Sequence, residues 1–229
     1  MPAEETGRIL DGARERGWVL EPDAKRLLAA EGFDVPRFEV VSSAGEAVAA
    51  AGRIGYPVVM KVVSPEVVHK SDAGGVIVGV EDEGGVRDAF AGLSRAAGFG
   101  GALVEEMLPG VELIVGGKVD GQFGPIVLIG MGGVGVEIYN DTSVRMAPLT
   151  GADVDSMIAG IRARKVLDGY RGAEGIDREA LKELVVDFSR LLMDIAGEIE
   201  SVDLNPVLCT AKRCVIADAR IMLKNGYSS

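Results

Sequence analysis

The chain has one histidine, and its neighbours are those that phosphate chemistry would use. An apolar run, Val58 to Val63, carries Lys61; a short stretch then delivers His69 and Lys70 to the edge of the Gly74-Gly75 pair. Imidazole can accept and return a phosphoryl group near neutrality, because its ordinary pKa is about 6.5. A lone histidine is more often a surface or core residue than a nucleophile, so His69 gains weight only from the rest of the chain.

A second constellation stands near the C-terminus. Asp203 and Asn205 are two apart in a strand-like run, which puts both side chains on one face, and Asp218 and Arg220 repeat the pattern in the next run. If the two strands pair through a turn at Ala211, Lys212 and Arg213, they gather two carboxylates, an amide and a guanidinium. Oxygen donors of that kind suit Mg²⁺, which is held by one or two carboxylates together with substrate phosphates. An ordinary solvated hairpin is the competing account. Pro206 inside the run argues for an edge or a bulge.

The elements that must position these residues alternate between helix and strand, so the expected class is α/β or α+β. Helices are expected over 22–31, from the Ser43/Glu46 capping box through Gly52, over 82–97, 153–164 and 177–197. Strands are expected over 33–41, 56–63, 75–80, 101–107, 111–118, 123–129, 134–139, 201–208 and 214–220. The break at Leu108, Pro109 and Gly110 divides the chain into an N-terminal part, 1–107, and a C-terminal part, 108–229. There is no internal repeat.

Composition narrows the function classes. At 229 residues and 48% hydrophobic content the chain is globular, and its net charge of −11 argues against a nucleic-acid partner. No stretch approaches the roughly 18 apolar residues of a membrane span, and the start is no signal peptide, so a soluble cytoplasmic protein is expected. Cys209 and Cys214 flank the expected turn and are read as free thiols, and the lack of any Cys-His cluster excludes a structural zinc site. Gly130, Gly132 and Gly135 formally match a dinucleotide-binding fingerprint. That motif needs a helix at its third glycine, whereas Val136 to Tyr139 alternates as a strand does. A tight hairpin turn and a glycine loop over a ligand's phosphates both remain open there.

Taken together, Lys61 on a strand, the Glu105-Glu106-Met107 hinge, Glu112 after it, and Asp203, Asn205, Pro206 and Asp218 in that order resemble the ATP-grasp fold. More narrowly, the chain resembles the β subunits of ADP-forming acetyl-CoA synthetases (acetate–CoA ligases), relatives of the succinyl-CoA synthetase β subunit. The resemblance runs from about Leu20 to Leu223 and is most specific around His69 and over Phe123 to Val134.

The resemblance implies two subdomains with ATP or ADP held between them. Lys61 would neutralise nucleotide phosphates; Glu105, Glu106 and Met107 would line the adenine slot; Glu112 would bond the ribose. Asn205 and Asp218 would hold Mg²⁺, with Asp203 nearby, while Arg220 and the Gly132-Gly133 loop would stabilise the transferring phosphoryl group. His69 would relay that group to ADP from a phosphohistidine on a CoA-binding α subunit, in an α2β2 assembly. The chain carries neither a CoA-binding domain nor a second histidine, so it needs such a partner or is part of a larger protein. Asp203 stands where the succinyl-CoA relatives carry glutamate. Two other functions fit the same residues less closely: an ATP-grasp carboxylate–amine ligase, which would not need His69, and a non-catalytic nucleotide-sensing module, which could dispense with metal ligands.

Overall fold

The structure is a computed structural model and describes residues 2–67, 70, 74–133, 141–169, 172 and 174–224. It divides into two compact units, one of residues 36–108 and the other of residues 1–35 with 109–229.

In chain order the described elements are α1 (Pro2–Ala13), β1 (Trp18–Val19), α2 (Glu21–Ala30), β2 (Phe38–Val41), α3 (Ala44–Ile54), β3 (Val58–Val63), β4 (Val76–Val80), α4 (Glu83–Leu93) and β5 (Gly101–Glu106). They continue as β6 (Val111–Asp120), β7 (Gly124–Met131), β8 (Thr142–Met146), α5 (Gly151–Gly160), a 3₁₀ turn (Arg164–Val166), α6 (Arg178–Ile195), β9 (Ile199–Cys209), β10 (Cys214–Ile216) and β11 (Ala219–Leu223).

The smaller unit is a four-stranded sheet in the order β2-β5-β3-β4, covered by α3 and α4. Its core joins Ala47, Ala50 and Ala51 of α3 and Val86 and Ala89 of α4 to Val58, Met60 and Val62 of β3. Local chemistry sets the helix ends. The Ser43 hydroxyl accepts from the Glu46 amide at 3.2 Å, and the Glu46 carboxylate accepts from the Ser42 amide and hydroxyl as well as from Ser43.

The larger unit is a sheet in the order β1-β11-β9-β6-β7-β8, with β10 also on β9. All described pairings in both sheets are antiparallel, which is the α+β form of the expected class. One face is packed by α6, whose Phe188 and Leu192 are fully buried. Along β6, Leu113, Val115 and Gly117 point to that core; Glu112, Ile114, Gly116 and Lys118 point to the other face, as the two-residue period of a strand requires.

Several sequence boundaries shift for identifiable reasons. Residues 1–35 do not belong with 36–107. Trp18 and Val19 pair with Met222 and Ile221 of β11, and Leu10, Leu27 and Leu28 enter the larger unit's core. The crossing between units falls inside the strand expected at 33–41, because Phe33 and Val35 pack on the larger core and only 38–41 joins β5. The last strand, expected unbroken over 214–220, is split at Ala217-Asp218, opposite a bulge that Asn205 and Pro206 make in β9. Helix α1 and strand β8 were not anticipated, and the strand expected over 134–139 lies outside the described residues. Cys209 and Cys214 face each other across the β9–β10 hairpin, with Cα atoms 4.1 Å apart, and are joined as a disulfide rather than free.

Candidate active site

The residues singled out by chemistry fall into two groups, one on each unit. On the smaller unit Lys61 sits in the middle of β3, and Glu105 lies on the adjacent strand β5, beside Val59. Burial of these strands would strand a lone charge, and the two side chains answer that cost together. Lys61 Nζ stands 2.8 Å from Glu105 Oε1, with 6% and 3% of their side chains exposed. Glu105 is therefore engaged with the lysine. Glu106, one residue on, points to the opposite face and meets Arg37 Nε at 3.1 Å, while Met107 at the strand's end is exposed. His69 lies outside the described residues.

On the larger unit the remaining candidates share the face turned away from α6. Arg220 of β11 pairs directly with Asp203 of β9, and its Nη2 stands 3.4 Å from Asp203 Oδ2. Asp203 pairs in turn with Gly116 of β6, Gly116 with Leu128 of β7, and Leu128 with Val144 of β8. Directly opposed residues in antiparallel strands carry their side chains on one face, so these five positions form a row across the sheet. Asn205 lies beside that row. Its amide donates to the Asp218 carbonyl at 3.2 Å, and the Ala217 amide donates to the Pro206 carbonyl at 2.9 Å. The bulge at Asn205-Pro206 and the break at Ala217-Asp218 thus meet, and their backbones close on each other. Asp203, Asn205, Asp218 and Arg220 are brought together by this geometry.

Glu112 and the glycines after β7 also converge. The Gly132 amide donates to the Glu112 carbonyl at 2.7 Å, and a methyl group at Gly132 would stand 2.8 Å from that carbonyl carbon. At Gly133, whose φ is +78°, the same methyl would lie 3.3 Å from Glu112 Oε2. Packing against the Glu112 backbone requires glycine at 132, and the left-handed backbone favours it at 133. Residues 134–140, into which the expected hairpin turn or phosphate loop would continue, lie outside the described residues.

The donor set fits Mg²⁺. Exposed Asn205 and half-buried Asp218, whose backbones meet, would offer an amide oxygen and a carboxylate, and among the described residues no three acidic, histidine or cysteine side chains close into a cage. Two protein oxygens with room for phosphates is the coordination habit of that ion. Sequence reasoning passed over Gly116 and the partners of the two hinge glutamates. A glycine in a strand interior is itself a signal of close approach, whereas the Lys61–Glu105 pairing depends on strand register, which one strand's sequence does not carry.

With this geometry in view, comparison with known proteins is informative. Residues 12–223 match the model of an ATP-grasp domain. The chain is 41% identical over 213 residues to the β subunit of acetate–CoA ligase [ADP-forming] I from Pyrococcus furiosus, covering 90% of this chain and 91% of that one. This chain belongs to that ATP-grasp family. A 4-hydroxybutyrate–CoA ligase [ADP-forming] of Nitrosopumilus maritimus is also 41% identical over 215 residues, which make up 90% of this chain but only 31% of that longer protein. Among solved structures, an acetyl-coenzyme A synthetase 1 of Ca. Korarchaeum cryptofilum in complex with coenzyme A and Ca-AMPCP superposes with a TM-score of 0.89 at 42% identity, covering 95% of this chain and 99% of that one. The same synthetase in complex with Mg-AMPPCP, its phosphohistidine segment pointing towards the nucleotide-binding site, gives 0.83 at 41% identity, with 96% of this chain and 100% of that one covered. As a family member the chain carries an ATP-grasp scaffold on which the two groups of residues stand, and no helix among its described residues is long and apolar enough to cross a membrane.

Proposed function

We propose that this chain is the nucleotide-binding β subunit of a cytoplasmic ADP-forming acyl-CoA synthetase and that it moves a phosphoryl group between nucleotide and His69. The observation that carries the reading is the strand pairing that sets Asp203 against Arg220 and Asn205 against Asp218 on one open sheet face. Phosphoryl transfer asks little covalent work of a protein; it asks for positioned charge around the phosphate oxygens. Arg220 supplies a fixed guanidinium, held by the Asp203 carboxylate beside it. Asn205 and Asp218 would hold Mg²⁺, which would offset negative charge on the phosphates. Lys61, held in place by Glu105, would serve the nucleotide phosphates, and Glu112 the ribose.

In the direction of ATP synthesis, the P–N bond of phosphorylated His69 breaks with its electron pair returning to the imidazole. A terminal oxygen of ADP forms the new P–O bond, and nothing is oxidised or reduced. The phosphate reaches His69 from a separate CoA-binding α subunit with its own phosphohistidine, the two kinds of chain assembling as α2β2. The support for a partner is that the related Pyrococcus protein of nearly equal length is itself a β subunit.

Titration calorimetry on the purified chain tests the reading. ADP and ATP should bind, more tightly with Mg²⁺ than without, and Asp218→Ala should remove the Mg²⁺ enhancement. An Mg²⁺ enhancement in Asp218→Ala as large as in the unsubstituted protein would refute the metal assignment.

A further inference from the structure

Two adjacent glycines in the middle of β6 face opposite ways, and their surroundings demand glycine for only one of them. Gly117 points into the core, where a methyl group would stand 2.8 Å from Leu192 Cδ1 and 3.0 Å from Phe188 Cζ. Its lack of a side chain is explained by packing. Gly116 points to the open face, where a methyl would meet nothing nearer than the Val202 carbonyl oxygen at 3.8 Å and Leu128 Cβ at 4.0 Å. Gly116 has no positive φ among those recorded for the chain's glycines. Neither sterics nor backbone conformation calls for glycine there, and an interior strand position disfavours it, because glycine adds unfolded-state freedom and no packing. What adjoins it is the Asp203–Arg220 pair in the same row, with Asn205 beside.

We infer that Gly116 is the bare floor over which the transferring phosphoryl group lies, and that its missing side chain is a requirement of the reaction rather than of the fold. This rests on the phosphoryl-transfer reading above. Arg220 faces Asp203 across β11 and β9, and Gly116 faces Asp203 across β9 and β6; a phosphate drawn to Arg220 and to a cation that Asn205 and Asp218 would hold would extend along this row, over its one position without a side chain. A methyl or isopropyl group there would lift the phosphate off its donors, and a misplacement of about 1 Å is enough to cost on the order of 100-fold in rate.

The test is a set of three variants, Gly116→Ala, Gly116→Val and Gly117→Ala, each assembled with its partner subunit for turnover and melted for stability. The expected result is a crossed pattern. Gly116→Ala and Gly116→Val keep the melting temperature or raise it by about 1–4 °C, bind ADP within about threefold of the unsubstituted chain, and lose roughly 10-fold and 100-fold of turnover respectively. Gly117→Ala melts lower and, below its transition, turns over normally. Gly116→Val with turnover within threefold of the unsubstituted enzyme would overturn the inference. So would a loss of ADP affinity as large as the loss of turnover, since the obstructed group would then be the nucleotide. If Gly116→Val does not fold, Gly116→Ala alone decides by the same two measurements. Absence of nucleotide binding by the unsubstituted chain would instead sink the functional reading, so the two failures are separable.

Discussion

Replacing Lys61 by methionine should both destabilise the protein and weaken its hold on nucleotide, and a second substitution should separate the two effects. In the native structure the ammonium and the Glu105 carboxylate are 2.8 Å apart with almost no exposure of either side chain. Removing one member leaves the other charge in a site built to exclude water, which costs about 3–5 kcal/mol. For a chain of this size each kcal/mol lowers the melting temperature by about 2–4 °C, so Lys61→Met or Glu105→Leu alone should melt roughly 6–20 °C lower. The double variant Lys61→Met/Glu105→Leu replaces the pair with apolar groups of similar volume, and such exchanges are about neutral. It should melt close to the unsubstituted protein. Nucleotide affinity should not return with the stability: loss of a charged donor to a phosphate is worth about 1.5–3 kcal/mol, or roughly 10- to 100-fold in Kd. Scanning calorimetry of the four proteins gives the stability cycle, and titration calorimetry with ADP and Mg²⁺ gives the binding. Two results would refute the reasoning: single variants within about 1 kcal/mol of the native protein, or a double variant that binds ADP as the native chain does.

Phosphorylation of His69 in the assembled enzyme should be acid-labile and base-stable, as a phosphoramidate is, and His69→Ala should abolish ATP-linked turnover while leaving ADP affinity nearly unchanged; ³¹P spectroscopy and calorimetry read the two parts. Acid should destabilise the β6–β7 turn. There the Phe123 and Gln122 amides, 2.9 and 2.8 Å from the Asp120 carboxylate, hold its pKa below the ordinary value. A lowered folded pKa stabilises above the unfolded value and is lost as pH falls through the folded one. The melting difference between native protein and Asp120→Ala should therefore be full at pH 6 and shrink below about pH 4; a difference independent of pH would contradict the assignment.

Much of both units could be read from local chemistry. Proline and glycine bracket α2, Ser43 and Asp177 cap α3 and α6, and alternation marks β6 and β9 with Asp203 and Asn205 on one face. These features depend on neighbours within a few residues, and so the amino-acid order alone determined them, as it determined the kinds of side chain available for phosphate chemistry. Tertiary structure decided the rest because pairing partners lie far apart in the chain. Residues 1–35 join the C-terminal unit through a two-residue strand too short to announce itself. The register of β3 against β5 turns Glu105 from an isolated hinge acid into the counter-ion of Lys61. Likewise the bulge at Pro206 reads in sequence as an interruption, and only its meeting with the break at Asp218 brings Asn205 and Asp218 together. Gly116 and Gly117 are indistinguishable as letters; the sheet, by burying one face and leaving the other open, gives one to packing and the other to chemistry.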